Sequence, residues 1–588
     1  MVDVNGLKRQ RGKQPVLVNS KNEIKAILNR IYGPQKGPAA FARLAAVLEA
    51  VSPEPLAGGI GLFTQADIIL ITYGDSLLGI NELPLQTLHR FCSDHFKGVF
   101  SGIHILPFFP YSSDDGFSVT DFQAVSADLG SWTDIRAIGG DFKLMVDLVA
   151  NHVSAKSQWF QSYLADEKGF RQLAIEVDPT IDLSGVIRPR TLPLLTAWEK
   201  RSGRRVHLWT TFSADQIDLN YQSLDVLENM VRTLLYYVAK GARIIRLDAI
   251  AYLWKQIGTP CIHLPQTHDM VRLFRRILDL TAPGVTIVTE TNVPHAENIS
   301  YFGNGADEAQ MVYNFSLPPL LLYSLATGNA RTFSDWARSL ATPSERTAFF
   351  NFTASHDGIG VRPLEGILPS SQIAWLANRV RLNGGQVSER CNPDGSTSPY
   401  ELNITYLDAL KDPASPDDPL HIPRFLASQA VALAFAGVPA VYIHSILGSQ
   451  NWTEGVRLTG RARTINRARL SVDAVWAELA DPKSVRARVF YPYLAMIRIR
   501  AGQPAFHPAA TMQVLALDDR VFAVKRFCPQ QTLFAVTNFC AAALTLNLPI
   551  KNASDPLIDL LGGERFEDGS ISLKAYQTMW LNQQPSIH

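Results

Sequence analysis

The sequence predicts an α/β protein whose main domain is a parallel (β/α)8 barrel, and three observations lead there. Eight short β-rich runs recur along the chain, amphipathic helical stretches lie between them, and the pattern changes to closely spaced strands after about residue 505. Strands alternating with helices predict a parallel sheet joined by crossover helices, and eight such units close into a barrel. The late change of pattern predicts a separate C-terminal β-domain.

In chain order, the first 64 residues read as an N-terminal helical segment. The strand candidates are "ADIILITYG" (66–74), "GIHILPFF" (102–109), "KLMVDLVAN" (143–151) and "ARIIRLDAI" (242–250), then "TIVTETN" (286–292), "AQMVYNF" (309–315), "TAFFNFTASHD" (347–357) and "AVYIHSILG" (440–448). Their near-continuous apolar character suits strands buried between helices. Between the third and fourth, Leu224, Leu227, Met230, Val231, Leu234, Leu235 and Val238 recur at the spacing of one helix face. The barrel is therefore placed over 65–504 and the β-domain over 505–588. Two connections exceed ordinary loops. The first, about 152–215, follows the third run and contains "IRPRTLP"; the second, about 358–425, follows the seventh and contains "RLNGGQVSERCNPDGSTSPYELN". Segments of this length are subdomains or lids, and both leave the barrel face where such folds keep their chemistry.

Composition narrows the function classes. With 46% hydrophobic and 19% charged residues, the chain of 588 residues reads as globular. Lys and Arg total 55 against 54 Asp and Glu, so the totals make no case for nucleic acid or an anionic membrane. Cys92, Cys261, Cys391, Cys528 and Cys540 are odd in number and scattered, which argues against a disulfide framework or a zinc site and for a reducing compartment. No apolar window is long enough for a signal peptide or a membrane span, so the chain reads as cytoplasmic. There is no P-loop, and "GGIG" at 58–61 is too short for a dinucleotide site, so no organic cofactor is expected. The oligomeric state stays open.

Polar residues gather where four runs end: Asp147 with Asn151 and His152, Arg246 with Asp248, Glu290, and His356 with Asp357. On a strand Arg246 and Asp248 share a face. Each residue alone has a structural explanation: a buried ion pair, a satisfied core carboxylate, a rim charge, a capped turn. Together they converge on one rim, and charges are seldom buried unless paired or functional. Three carboxylates without cysteine suggest a hard-metal site or glycosyl transfer. Arg246 favours the second, because a neighbouring cation lowers the pKa of Asp248 and suits a nucleophile. Retaining glycosidases pair an ionised carboxylate with a protonated one about 5–5.5 Å away.

"DLVANH", "RLDA", "TETN" and "ASHD", in this order, resemble the signature blocks of glycoside hydrolase family 13, the alpha-amylase family, and "QIDLNY" (216–221) resembles its additional short block. The resemblance implies that Asp248 is the nucleophile, Glu290 the general acid/base and Asp357 the carboxylate that grips sugar hydroxyls, with His152, Arg246 and His356 in support. It also implies no metal in the chemistry.

"ITYGDS" (71–76), "FSLPPLLLYSL", "SHDGIGVRPLEG" and "RTINR" (463–467) resemble the sucrose-phosphorylase branch, in which phosphate resolves the glucosyl-enzyme and releases α-glucose 1-phosphate. By that likeness Asp75 and Arg467 bind the glucosyl unit, Arg190 of "RPR" (188–190) binds phosphate, and "SPYELNITYLDAL" is the mobile loop of the acceptor site. Phe122 and Asn292 stand where sucrose phosphorylases carry histidines, and both departures resemble the glucosylglycerate phosphorylases. The partners implied are an α-glucoside, with glucosylglycerate favoured, and inorganic phosphate. Sucrose, sucrose 6-phosphate and glucosylglycerol phosphorolysis, and hydrolysis or transglucosylation, remain the alternatives; a non-catalytic relative is disfavoured because all three carboxylates are kept. Arg188, Arg381 and Arg390 are candidates for an acceptor carboxylate.

Overall fold

Eight parallel strands close into a barrel in chain order: β1 (Ile69–Thr72), β2 (Gly102–Ile105), β3 (Lys143–Leu148), β4 (Ala242–Leu247), β5 (Thr286–Thr289), β6 (Met311–Tyr313), β7 (Ala348–Phe352) and β8 (Val438–Tyr442). The last closes on the first through Ile69 opposite Ala440. The computed structural model describes residues 13–50, 63–189, 192–392, 396–415, 417–550 and 556–583. Apart from Lys143 and Arg243, every residue of the eight strands is buried, which is why the runs read as continuous apolar stretches rather than alternating ones. The helix expected from the 224–238 pattern runs over Leu224–Ala239.

The eight expected strands are all present, but shorter than the apolar runs that announce them. β7 ends at Phe352, so "TASHD" is rim loop rather than strand. At the eighth run the expectation is displaced: β8 starts two residues earlier, and the segment Ile443–Ile446 is a helical turn. An unbroken apolar run does not distinguish buried strand from buried helix, so periodicity carried no boundary there. Gly437 sets the true start. Its φ is +136°, and a Cβ would lie 2.4 Å from the Phe349 carbonyl oxygen of β7, so only glycine lets the chain enter the barrel at that point.

After β3, the strands His152–Ser154 and Gln216–Asp218 pair antiparallel, and between them lie the helix Gln158–Leu164 and a hairpin of Leu195–Glu199 with Arg205–Trp209. After β7, a three-stranded antiparallel sheet joins Ile359–Gly360, Thr397–Asn403 and Gln386–Cys391, beside the helix Ser370–Leu382. Both segments stand over the C-terminal rim of the barrel. At the N-terminus, the helical stretch Lys13–Glu49 breaks at Gly33, whose φ is +77°, with Pro34 following. It docks on Leu224–Ala239 and Pro265–Thr281 through Arg43 with Asp225 and Glu228 (2.6 and 2.8 Å) and Arg30 with Asp269 (2.7 Å).

The C-terminal region is a six-stranded antiparallel sheet plus a two-stranded one. Its Phe522 packs into the barrel helices against Phe333 (4.7 Å between ring centres) and Phe435 (5.6 Å), and buried Arg526 donates to the carbonyl of Ala434 at 2.7 Å. No described helix is long and apolar enough to cross a membrane.

Candidate active site

Asp248 and Glu290 occupy the first positions after β4 and β5, and Asp357 sits five residues beyond β7, so all three carboxylates reach the same rim. Arg246, one residue from the end of β4, lies beneath them. Its Nη1 donates to Asp248 Oδ1 at 2.7 Å and also contacts Asp147, and its Nη2 is 3.9 Å from Glu290 Oε2. The shared face expected for Arg246 and Asp248 is thus present as a direct ion pair. Asp147 also accepts from His104 Nε2 at 2.7 Å, so it is a fully buried support for Arg246. The guanidinium lies 5.5 Å from the ring centres of both Phe117 and Tyr313, which hold it flat. Ala249 adopts a left-handed φ of +48°, and its N–H donates to Glu290 Oε2 at 3.0 Å, tying the nearest backbone to that carboxyl group.

Asp357 faces a second set of cations. Arg463 Nη1 is 2.6 Å and Arg467 Nη2 3.9 Å from its Oδ1, and His356 Nε2 is 3.5 Å away. Arg467 Nε donates to the His356 carbonyl at 2.8 Å, and its Nη1 pairs with Asp115 Oδ2 at 2.5 Å. The imidazole of His356 stacks on Phe117 (4.9 Å, 9° between planes) and meets the edge of Tyr73 at 5.9 Å. His152 Nε2 donates to the Phe117 carbonyl at 2.9 Å, which positions that ring. Behind it, Lys255 Nζ binds Asn151 Oδ1 at 2.6 Å and Asp218 Oδ2 at 2.5 Å, so Asn151 is part of the frame. Asp75 pairs with Arg469 at 2.7 Å.

The three carboxyl groups titrate apart. Burial pushes Asp357 up, but Arg463, His356 and Arg467 outweigh it and hold this group well below the usual carboxylate range. Glu290 is pushed up to about 7, by burial first and then by Asp248 and Asp357, with Arg246 pulling against them. Asp248 departs from the expectation drawn from its neighbour. Burial raises its pKa despite Arg246 and His152, because Arg246 divides its charge among Asp147, Asp248 and Glu290. Near neutral pH the set therefore holds ionised Asp357 and a half-protonated Glu290, with Asp248 raised above its ordinary value beside them. His356 is pushed down to about 3 by burial and stays neutral.

A cavity of about 390 Å³ opens above Arg463 and Arg467, with Asp114, Asp115, Pro189, Leu192, Tyr400 and Glu401 in its wall. The connections after β3 and β7 thus meet over the rim. Arg190 lies outside the described residues, although its neighbours Pro189 and Leu192 line this cavity. Phe122 is buried in a ring cluster, 5.1 Å from Trp159. Asn292 presses on the backbone of Gly360, and among the described residues its buried Oδ1 has no hydrogen-bond donor. Arg188 donates to the Leu192 carbonyl at 3.2 Å, Arg381 is 3.6 Å from Glu389, and Arg390 pairs with Glu365 at 2.7 Å, so all three already have partners.

Sequence reasoning passed over Tyr73, Asp115, Phe117, Tyr313, Glu401 and Arg463. Arg463 carried the clearest signal, four residues before Arg467 inside "RTINR"; it lies in the short helical turn Ala462–Asn466 that Arg467 ends. Its second contact, to Glu401 Oε1 at 3.1 Å, joins Asp357 to the strand Thr397–Asn403, a link no local pattern announces.

A family model described as the alpha amylase catalytic domain matches residues 97–358. The glucosylglycerate phosphorylase of Spirochaeta thermophila is 46% identical over 580 residues, covering 95% of this chain and 98% of that protein. The glucosylglycerate phosphorylase of Escherichia coli is 43% identical over 564 residues, covering 95% and 100%. Among solved structures, sucrose 6F-phosphate phosphorylase from Thermoanaerobacter thermosaccharolyticum superposes with a TM-score of 0.72 over 86% of this chain and 99% of its own, at 24% identity, a likeness of fold. Kinship that runs along nearly the whole chain, and not over the barrel alone, places the protein in the alpha-amylase family, glycoside hydrolase family 13, within its group of glucosylglycerate phosphorylases.

Proposed function

We propose that the protein is a retaining α-glucoside phosphorylase that transfers glucose from 2-O-α-glucosylglycerate to inorganic phosphate. The observation that carries the chemistry is the graded set of carboxyl groups on one rim: Glu290 titrating at about 7 beside Asp248, with Asp357 held ionised by Arg463 and Arg467. Kinship with glucosylglycerate phosphorylases supports the donor.

In this reading Asp248 attacks the anomeric carbon as Glu290 passes its proton to the leaving oxygen, so glycerate departs and a β-linked glucosyl-enzyme forms. Asp357 accepts hydrogen bonds from sugar hydroxyls and stabilises the oxocarbenium-like transition state, and Arg467 and Asp75 hold the same ring. Phosphate then attacks the anomeric carbon and displaces Asp248, while ionised Glu290 takes a proton from the incoming phosphate. Two inversions retain the configuration. Arg190 is assigned to phosphate, since a guanidinium donates paired hydrogen bonds to it.

The test is incubation of the enzyme with phosphate and glucosylglycerate, sucrose, sucrose 6-phosphate or glucosylglycerol, with the product followed by NMR. Glucosylglycerate should show the highest kcat/KM, and the first product should be α-glucose 1-phosphate. A higher kcat/KM on sucrose overturns the donor assignment, and an initial β-anomer overturns the double displacement.

A further inference from the structure

Recognition of glycerate needs a cation for its carboxylate. Arg390 is bound to Glu365 at 2.7 Å, and Arg188 and Arg381 are exposed to solvent, whereas Arg362 is buried and its ion pair with Glu365 is a loose 3.8 Å. Arg362 begins the short helical turn Arg362–Leu364, ten residues beyond the end of β7, and its side chain is 9% exposed. A guanidinium carries five N–H donors, yet among the described residues Arg362 makes no hydrogen bond through its side chain, and its Nε is buried without an acceptor. The carboxylate nearest to it, Glu365 Oε1, is 3.8 Å away and is already bound by Arg390 Nη2 at 2.7 Å. Arg246, Arg463 and Arg467 differ in this respect, since each has a carboxylate oxygen within 2.7 Å. A buried cation left without an acceptor is unfavourable unless something else supplies one.

The backbone on either side of Arg362 sits beside the acid/base loop and the cavity. Gly360 packs against Asn292, two residues beyond Glu290, and Val361 N–H donates to the carbonyl of Tyr400, which lines the cavity above Arg463 and Arg467. On the same rim the ring of Tyr252 meets Phe212 at 5.6 Å, and Phe212 meets His152 at 5.3 Å. His263, whose Nε2 is 3.2 Å from Glu297, lies within the field of Arg362 and is neutral at pH 7, so it offers no counter-charge. The backbone that carries Arg362 is pinned on both sides. Val361 N–H donates to the Tyr400 carbonyl at 3.1 Å, Ser316 donates to the Pro363 carbonyl at 3.3 Å, and Gly360 packs against Asn292 with no room for a Cβ. The guanidinium is thereby positioned before any ligand arrives.

We propose that Arg362 binds the carboxylate of the glycerate moiety and so sets the preference for an acidic leaving group over a neutral one. This rests on the reading of the protein as a glucosylglycerate phosphorylase. The charge-assisted pair forms with the intact glucoside and with free glycerate in the reverse reaction, and it leaves the bond exchange at Asp248 and Glu290 unaltered.

The experiment compares the wild type with Arg362→Gln and Arg362→Lys on glucosylglycerate, on glucosylglycerol (which lacks the carboxylate) and in the KM for inorganic phosphate. Loss of a charge-assisted pair predicts that Arg362→Gln loses about 10- to 100-fold in kcat/KM on glucosylglycerate. Glucosylglycerol turnover and the KM for phosphate should stay at wild-type values, and Arg362→Lys should recover part of the loss. Equal losses on both donors would make Arg362 a structural residue and overturn the proposal. A change confined to the KM for phosphate would assign the guanidinium to phosphate instead. Undiminished activity of Arg362→Gln on glucosylglycerate overturns this inference alone, whereas a wild type that prefers the neutral donor overturns the functional reading and this inference with it.

Discussion

In the proposed reaction Glu290 is the group whose proton decides the first half-reaction, and its pKa is pushed up to about 7. The reaction needs the protonated acid, so activity is present on the acidic side and is lost as pH rises through about 7. The protonated fraction is about nine tenths one unit below the pKa and about one tenth one unit above it, so kcat/KM for the glucoside should fall about tenfold between roughly pH 6 and pH 8. In a double displacement this parameter, taken at saturating phosphate, reports glucosylation only, which keeps the ionisation of phosphate out of the profile. Glu290→Gln should remove the alkaline limb and lower kcat/KM on the natural donor by about 10²–10⁴. It should lower it much less on 4-nitrophenyl α-glucoside, whose leaving group departs without a proton. The same shift has a consequence for stability. A carboxyl group raised from 4.5 to about 7 on folding favours the native state fully below 4.5 and loses that contribution as pH rises toward 7. Glu290→Gln should therefore melt above the wild type at pH 8, by calorimetry, and lose that advantage on the acidic side. A wild-type profile flat through this range, or equal losses on both donors, would refute the assignment of Glu290 as the acid.

Asp248→Asn removes the charge that must bond to the anomeric carbon, so turnover should fall on the order of 10⁴-fold. Asp147 and Glu290 remain around Arg246, so the melting temperature should hold, and near-normal turnover would disprove the nucleophile. Gly360→Ala would bring a Cβ to 2.5 Å from Asn292 Nδ2, well inside contact distance. The resulting overpacking should displace Asn292 and lower kcat/KM on glucosylglycerate about tenfold while sparing 4-nitrophenyl α-glucoside, and unchanged donor selectivity in that variant would separate Asn292 from the leaving-group site.

Much of the architecture was legible in the sequence because the information is local. Each barrel strand is a short run buried on both faces, so β1 to β8 announce themselves as apolar segments between amphipathic helices. The carboxylates are legible for a related reason: in a barrel, residues just after the strands converge on one rim, so Asp248, Glu290 and Asp357 could be placed together without knowing any distance. Boundaries were less legible. The end of β7 and the start of β8 depend on packing between neighbouring strands, such as the close approach of Gly437 to Phe349, and an apolar run carries no mark of it.

What only the tertiary structure decided is which charge faces which. Sequence adjacency suggested that Arg246 serves Asp248. In the fold its guanidinium is shared with Asp147 on β3 and Glu290 after β5, and burial then leaves Asp248 raised rather than lowered. Arg188, Arg381 and Arg390 looked equivalent from their spacing, yet Arg390 is bound to Glu365 at 2.7 Å, and among the described residues Arg362, three residues before that glutamate, has no hydrogen-bonding acceptor and only a 3.8 Å ion pair. Arg463 finds Asp357 and Glu401 from two other segments of the chain. Local pattern settles which residues are apolar enough to build the barrel, because burial depends on each residue's own chemistry. A pKa or an ion pair depends on distances between groups far apart in the chain, and only folding sets those.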